Sequence, residues 1–499
     1  GLCANCRGEH MKDQVLTRRR VVAILGLGGV GAILAACGGA EAPTPAPAKP
    51  AEAPKAGAEA KPAAGAGYAP AKPAGGSVVW LVRSTPQENK GQEAIFEPAI
   101  KKALPNIQVN RVIVPGAQYV AKINSMAAAK DNLDIWGFGG NYYDYWARSM
   151  PQDLTGYISA DNWDVGNYFQ QGLMDIYKVR GKYYGVSQLT TFGSVMVYNR
   201  DMLDKAGLKP PPVKWDDPEW TWDRMIEYAT KMTKNAGKPD AEYGVAVNLW
   251  NRETSLPYLW GGDCTPQEHY TNTITPKMDF NNPAVIDSHQ ARQDLIYKHK
   301  ISPDPATSKA MEAVGSVFKT SKLGMDLDGG WLFWQASDIK DFKIGYAALP
   351  KAKSNKHINF NDFWIMGRWS TNKDAAWQIM RVISDVPQTT AYAVHSGTPP
   401  TPRASLRPWL ENVSKYSNMS VDDLVTLTTG AIDPKIAQES SDHHWLQFAK
   451  IDDAYNQEID ALWTNPTANA KDVITKMAPT MDNIANGIYN QFKDSLPKD

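Results

Sequence analysis

From residue 77 onwards, apolar positions alternate between short continuous runs and helical spacing. The run at residues 78–82 ends in a polar turn and predicts a buried strand. Residues 88–104 have helical spacing, which Pro98 is expected to kink or split. The same patterns predict a strand at 107–114, a helix at 118–129 and a strand at 133–136. Because strands and helices alternate, we predict an α/β fold with helices on both faces of a parallel sheet.

Two polar loops follow strands in this pattern. One begins at Arg83, and the other spans residues 137–143. Ligands of such sheets bind beyond the carboxyl ends of the strands. Guanidinium and amide groups can each bond two neighbouring hydroxyls. We therefore predict ligand contacts from these two loops, by Arg83, Asn141, Tyr142 and Tyr143.

A separate apolar segment lies near the N-terminus. Residues 21–36 carry no charge and follow Arg18, Arg19 and Arg20, which is typical of a secretory signal. The segment ends in Leu34-Ala35-Ala36-Cys37, which resembles the lipobox of bacterial lipoproteins. The resemblance implies that Cys37 is lipidated and becomes the new N-terminus. We expect a protein outside the cytoplasm that is attached to the membrane only through lipid.

Other interpretations of this segment are weaker. The apolar run is shorter than the roughly 20 residues that span a bilayer. Residues 26–31 match G-x-G-x-x-G, but the acidic residue expected about 20 positions later falls at Glu52, in a Pro/Ala tract. Residues 17–22 resemble a twin-arginine export signal, so the export route stays open. Met11 is the expected start, which would make residues 1–10 upstream translated sequence.

Residues 38–76 form a predicted linker after Cys37. They are mostly Ala, Pro, Gly, Lys and Glu, and Tyr68 is the only large apolar residue among them. Such a composition cannot bury enough surface to offset the entropy of folding. Its prolines favour extended polyproline conformation, so we expect a semi-stiff spacer between the membrane and the folded part.

Composition, charge and the absence of two catalytic motifs argue against several classes of function. The chain has 499 residues, with 53 Lys plus Arg and 53 Asp plus Glu, and this balance argues against nucleic-acid binding. Neither G-x-S-x-G nor H-E-x-x-H occurs. We therefore expect a non-enzymatic protein without cofactor or bound metal. The 17 Trp and 21 Tyr residues are abundant, and flat rings are suited to stacking on sugar rings.

Eight segments between residues 77 and 400 occur in an order and spacing that resemble a known family. They are 181–186 (GKYYGV), 197–203 (VYNRDML), 206–208 (AGL), 220–225 (WTWDRM), 324–325 (GM), 329–331 (GGW), 345–350 (GYAALP) and 370–377 (STNKDAAW). The family is the extracellular solute-binding proteins of the sugar-binding type, which serve ABC importers. Ser187 departs from the proline that the family often has at this position.

The resemblance implies a periplasmic-binding-protein-like fold with two hinge-linked α/β lobes and a ligand cleft between them. Crossings between the lobes are expected near residues 187–191, 359–362 and 396–401. The N-terminal lobe would comprise residues 77–188 and 362–398. The C-terminal lobe would comprise residues 189–361 and 399–499.

The resemblance also adds candidate ligand-binding residues. Trp331 matches an aromatic residue that lies under a sugar ring in the family, and Trp334 is three positions later. Asp328 is a candidate acceptor for sugar hydroxyls, because the spacing around it does not fit an EF-hand. Asp362 falls at the second crossing, where it would bind ligand or fix the hinge. The C-terminal lobe adds Trp250, Asn251 and Trp260.

We therefore expect a substrate-binding lipoprotein that captures a sugar or oligosaccharide and delivers it to an ABC permease and its ATPase. We expect it to act as a monomer. Two other functions stay open at this stage: a lipid-anchored glycan hydrolase, and a surface module that holds glycans without an importer.

Overall fold

The protein is described here from a computed structural model. It describes residues 68–137, 142–190, 192–249, 252–266, 277–312, 316–359, 361–440 and 445–496. The signal segment, Cys37 and the linker up to residue 67 lie outside this part of the chain, as do Asn141, Trp250 and Asn251. Within it, no helix has the length and apolar character needed to span a membrane.

The first sheet has five strands in the order β2-β1-β3-β12-β6. β1 is parallel to β2 and β3, whereas β12 is antiparallel to its neighbours β3 and β6. The strands are β1 (Gly76–Arg83), β2 (Ile107–Val114), β3 (Ile135–Trp136), β6 (Val186–Thr190) and β12 (Asn361–Met366). The patterns at 78–82, 107–114 and 133–136 therefore predicted strands that exist, although the third is shorter than expected.

Helices from two stretches of chain accompany this sheet. They are α1 (Pro86–Gly91), α2 (Glu97–Ala103), α3 (Gly116–Ala129), α4 (Tyr142–Ala147), α5 (Thr155–Ala160), α6 (Val165–Tyr168), α13 (Lys373–Ile383) and α14 (Val386–Ser396). A π-helical turn, Gln92–Phe96, joins α1 to α2 without leaving helical backbone conformation. Because Pro98 has no N–H to donate, a wider turn just before it accommodates the missing bond. The expected interruption is therefore a π-turn within a continuous helix.

The described chain enters the first lobe alongside α13 and α14. The Tyr68 N–H donates to the Asp385 carboxylate, and the Arg381 guanidinium lies 4.7 Å from the Tyr68 ring centroid. Gln378 accepts from the Ala74 N–H at 2.9 Å and donates to the Lys72 carbonyl at 2.8 Å. The last residues of the predicted linker thus pack against the folded protein.

The second sheet has four strands in the order β10-β7-β9-β8. β8 and β9 are parallel, and β7 is antiparallel to β9 and β10. The strands are β7 (Val195–Asn199), β8 (Tyr243–Val247), β9 (Leu323–Asp328) and β10 (Ile344–Ala347). Further helices in this part of the chain are α7 (Arg200–Lys205), α8 (Trp222–Met232), α9 (Arg252–Tyr258), α10 (Pro283–Tyr297), α11 (Pro305–Glu312), α12 (Leu332–Gln335), α15 (Arg403–Val413) and α16 (Val421–Ala431).

Two short strand pairs and two long helices complete the described structure. β4 (Lys178–Val179) pairs with β5 (Lys182–Tyr183), and β11 (His357–Asn359) is parallel to β13 (Ala437–Glu439). The C-terminal helices are α17 (Phe448–Thr464) and α18 (Ala470–Phe492). The Gln447 N–H, just before α17, donates to Asp144 of α4 at 3.3 Å.

The chain passes from the first sheet to the second between β6 and β7. β6 ends at Thr190, beside Asn361 of β12, and the chain enters the second sheet at Val195, which pairs with Asp328. Only a few residues separate the two sheets here, so the ends of β6 and β9 lie on opposite sides of the crossing. This arrangement is a two-lobed fold with a cleft at the crossing strands.

Candidate functional site

Arg83 is held by two buried carboxylates at the end of β1. Its Nη2 lies 2.6 Å from Glu88 Oε1 and 2.6 Å from Asp362 Oδ2, and its Nε donates to Glu88 Oε2 at 3.0 Å. Glu88 and Asp362 are 3% and 4% exposed, whereas the Arg83 side chain is 24% exposed. Burial alone would lower the pKa of Arg83, but the charges of Asp362 and Glu88 raise it well above its usual value. A fixed guanidinium cation therefore lies at this edge of the first sheet.

The neighbouring strand ends are held close together. A Cβ on Gly137 would lie 2.1 Å from the Phe363 carbonyl oxygen, so β3 can approach β12 only with glycine at this position. The Tyr119 hydroxyl lies 2.9 Å from the carbonyl oxygens of both Leu81 and Gly137. Burial raises the pKa of Tyr119, which keeps it neutral and able to donate. These contacts tie the ends of β1 and β3 together beside Arg83.

Tyr142 and Tyr143 lie on α4, and each is 2% exposed. The Tyr142 hydroxyl donates to the Tyr177 carbonyl at 2.5 Å, and the Tyr177 hydroxyl donates to the Asp362 carbonyl at 3.1 Å. The ring of Tyr143 packs against Trp146 with centroids 5.0 Å apart. Tyr142 therefore supports the crossing strand through Tyr177, and ligand contact by either predicted tyrosine stays a prediction.

In the second sheet, Trp331 lies in the turn that follows β9. Its indole N–H donates to Asp328 Oδ2 at 2.9 Å. A Cβ on Gly329 would lie 2.3 Å from the Trp331 ring, so the glycine lets the ring fold back over the turn. Trp331 is half-buried and packs against Tyr258 and Ile358. The structure thus brings two predicted residues, Asp328 and Trp331, into one hydrogen-bonded unit.

The other predicted tryptophans lie in different surroundings. Trp260 packs edge-to-face on Trp222 with ring centroids 4.9 Å apart. Trp334 lies against Gly397, where an added Cβ would be 3.0 Å from the Trp334 Cβ. Trp250, Asn251 and Asn141 lie outside the described residues. Ligand contact by Trp260 or Trp334 is not tested by these positions and stays a prediction.

Three residues at this site were missed by the sequence reasoning. Glu88 binds Arg83, and Tyr177 contacts the crossing strand. Tyr258 donates its hydroxyl to Asp263 Oδ2 at 2.8 Å. Glu88 lies five positions after Arg83, a separation that could have indicated a salt bridge. Tyr258 lies two positions before Trp260, in a segment that had been identified as a candidate.

The described residues bring no three His, Cys, Asp or Glu side chains into an arrangement that could hold a metal ion. Asp326, near Asp328, accepts a hydrogen bond from Asn248 Nδ2 at 2.9 Å. The site can therefore supply a fixed cation, hydrogen-bonded carboxylates and an oriented aromatic ring. Those groups are suited to reversible binding of a small polar molecule.

The sequence matches the family described as bacterial extracellular solute-binding protein over residues 83–385. The chain belongs to this family. Family members bind solutes, which agrees with the prediction of a binding protein, and the family is extracellular. A putative binding protein of Brucella abortus (strain 2308) is 25% identical over 310 residues, which cover 60% of this chain and 71% of the relative.

Other comparisons extend this likeness. The arabinooligosaccharide-binding protein of Bacillus subtilis (strain 168) is 27% identical over 154 residues, which cover 31% of each chain. An ABC substrate-binding protein of Listeria monocytogenes in complex with cycloalternan has a TM-score of 0.67 at 19% identity, covering 82% of this chain and 98% of that one. Maltose-bound MalE3 of T. maritima gives 0.62 at 18%, covering 82% and 99%. These structures confirm the predicted two-lobed α/β fold.

Proposed function

We propose that this solute-binding protein captures a sugar or oligosaccharide between its lobes and delivers it to an ABC permease and its ATPase. The observation that carries the proposal is that Arg83 and Trp331 each lie next to a strand that begins or ends at the crossing between the sheets. Arg83 bonds Asp362 of β12, and Trp331 bonds Asp328, which pairs with Val195 of β7. The guanidinium supplies a fixed positive charge, and its N–H groups are of the kind that hydrogen-bond hydroxyl oxygens. The aromatic ring offers a flat surface for the C–H face of a pyranose.

The relatives support a carbohydrate as the ligand. The similar proteins include an arabinooligosaccharide-binding protein, a protein in complex with cycloalternan and a maltose-bound protein. We further propose the lobe boundaries expected from the sequence, with residues 77–188 and 362–398 in the first lobe and 189–361 and 399–499 in the second. Binding would then close the lobes about their crossing strands, a common motion of two-lobed binding proteins.

Titration with a carbohydrate panel tests the substrate class. We expect at least one neutral sugar or oligosaccharide to raise the melting temperature in a concentration-dependent manner, since a ligand that binds only the folded state stabilises it. Stabilisation by a peptide or a polyamine, with none by any sugar, would overturn the proposal. A chromogenic glycoside panel tests the hydrolase alternative, which product release would favour.

Anchoring belongs to the same proposal. We propose that Cys37 carries the lipid and keeps the protein outside the cytoplasm near its transporter, where tethering raises the effective concentration. Labelling of the wild-type protein by a radioactive fatty acid in cells, with no label on the Cys37→Ser variant, is the expected result. Equal labelling of both would exclude Cys37 as the lipidation site.

A further inference from the structure

A polar cavity of about 470 Å³ lies beside β13. This volume falls within the range of about 300–1,000 Å³ typical of small-molecule sites. The cavity lies between the turn after α9, the start of α10 and β13. Its principal polar lining residues are Tyr258, Asp263, Asn282, Lys356, Gln438 and Glu439.

The turn that forms one wall is held against α10. Gly261 has a φ of +82°, and a Cβ on Gly262 would lie 2.5 Å from the Ala284 Cβ. Asn282 caps α10 by accepting from the Ala284 N–H at 2.9 Å. Trp260 packs on Trp222. The next three residues, Gly261, Gly262 and Asp263, line the cavity. The close approach of Gly262 to Ala284 and the Asn282 cap therefore hold this wall against α10.

Tyr258 belongs both to the lining of this cavity and to the packing around Trp331. Its hydroxyl donates to Asp263 Oδ2 at 2.8 Å, and the residue packs against Ile358 and Trp331. β13 forms another wall, with Gln438 paired to Ile358 and Glu439 paired to Asn359 of β11. β11 ends just before the crossing strand that carries Asp362. The cavity and Trp331 therefore share Tyr258 as a neighbour.

The lining restricts the chemistry of the occupant. The carboxylates of Asp263, Asp279 and Glu439 only accept hydrogen bonds when ionised, and Lys356 is the only cation among the lining residues. An anionic occupant would meet an excess of negative charge. A ring with many hydroxyls can donate further hydrogen bonds to the carboxylates and can accept from Lys356 and the Gln438 amide.

We propose that this cavity binds an additional unit of a neutral oligosaccharide whose adjoining unit lies against Trp331. This inference rests on the proposed function and makes it more specific, because it requires a ligand longer than one sugar ring. Gln438 provides the test position, since its side chain is exposed on β13 and lines the cavity. A tryptophan at this position would fill the cavity.

The experiment compares ligands that differ by one unit, in two series: maltose with maltotriose, and mannobiose with mannotriose. Calorimetry of the wild type is expected to give about tenfold tighter binding of one trisaccharide than of its disaccharide, the scale of one or two added hydrogen bonds. In Gln438→Trp this ratio should fall to near one, with the disaccharide affinity kept within about twofold. Gln457→Trp, at an exposed position on α17, is the matched control and should leave both affinities unchanged.

The possible results separate this inference from the proposed function. If Gln438→Trp weakens binding of the disaccharide and the trisaccharide equally, or leaves the ratio of their affinities unchanged, the cavity is not a saccharide site even though the protein binds sugar. If neither series binds to the wild type while a peptide or polyamine does, the proposed function fails and this inference fails with it. Circular dichroism and the melting temperature of each variant establish that the compared proteins are folded.

Discussion

Nη2 of Arg83 lies 2.6 Å from Oδ2 of Asp362, although the two residues are 279 positions apart in the chain. The contact joins the end of β1 to the strand that returns from the second lobe. Glu88 binds the same guanidinium, so the cation is held between one local and one distant carboxylate. The group proposed to meet the ligand is therefore fixed by the hinge strand itself.

Asp362→Asn should weaken this link without removing the side chain. Arg83 would keep Glu88 but lose one charged hydrogen bond, so we expect a loss of about 1–3 kcal/mol in the free energy of unfolding. Urea denaturation measures the change. Sugar affinity measured on the same protein separates the two roles predicted for Asp362. A loss of sugar affinity larger than the loss of the Arg83–Asp362 hydrogen bond explains would favour direct contact between Asp362 and the ligand. Unchanged affinity would favour a role of Asp362 in supporting the hinge.

Trp331→Ala should weaken sugar binding by about 1–3 kcal/mol, on the scale known for stacking of bases on aromatic rings. Asp328→Asn should have a smaller effect, because it keeps the ring and an oxygen that can accept the indole N–H. Calorimetry with a sugar that binds the wild type checks both. Trp220→Ala is the matched control: its buried ring packs on Tyr228, so stability should fall and affinity should not. A larger affinity loss in the control than in Trp331→Ala would reverse these assignments.

His357 should make the folded state sensitive to acid. Burial lowers its pKa to about 4, even though the carbonyls of Asn355 and Ala431 partly oppose the shift. The unfolded chain has a His pKa near 6.5, so in this range the unfolded state binds more protons and stability rises with pH. The contribution, about 3 kcal/mol, is complete above pH 6.5 and is lost as the pH falls towards 4.

Unfolding by urea at pH 7 and at pH 4.5 measures the contribution of His357. The His357→Gln variant removes the titrating ring and should show a smaller difference between the two pH values. If variant and wild type lose equal stability over this range, other groups account for the acid sensitivity.

Gly137→Ala should destabilise the protein by at least about 1–3 kcal/mol, the usual cost of overpacking. The added methyl would meet the Phe363 carbonyl oxygen, a backbone atom that cannot move without shifting β12. Gly156→Ala in α5 is the control, because no atom lies within 4 Å of an added Cβ there. Alanine in a helix should make this control neutral or slightly stabilising. Thermal unfolding compares the two, and equal melting temperatures would contradict the close approach described here.

Periodicity predicted three of the five strands of the first sheet, β1, β2 and β3. The run at 78–82 became β1, which ends at Arg83 as expected. The directions of individual aromatic side chains were harder to predict. Tyr142 and Tyr143 follow a strand in a position typical of a binding loop, yet both are buried in α4. Trp260 precedes two glycines, as Trp331 follows two, but it packs on α8 and not beside Asp328.

The contact between Arg83 and Asp362 was beyond prediction for a different reason. Local spacing determines helices and strands, whereas this pair depends on how a returning strand aligns with β6. The register of β12 against β6 shifts between Asp362 and Phe363, an irregularity with no local sequence signal. Arg83 was a candidate by its position after a predicted strand and Asp362 by its position at a predicted crossing, but their pairing required the assembled hinge.

The packing of residues 68–74 against α13 determines where a pull on the chain would be carried. Tyr68 contacts Asp385 and Arg381, and Gln378 binds the backbone of Lys72 and Ala74. Any tension arriving from the N-terminal side is thus borne by the first lobe, well before the chain reaches a crossing strand. Relative to residues 68–74, the second lobe would move when the hinge angle changes, whereas Arg83 would stay in place.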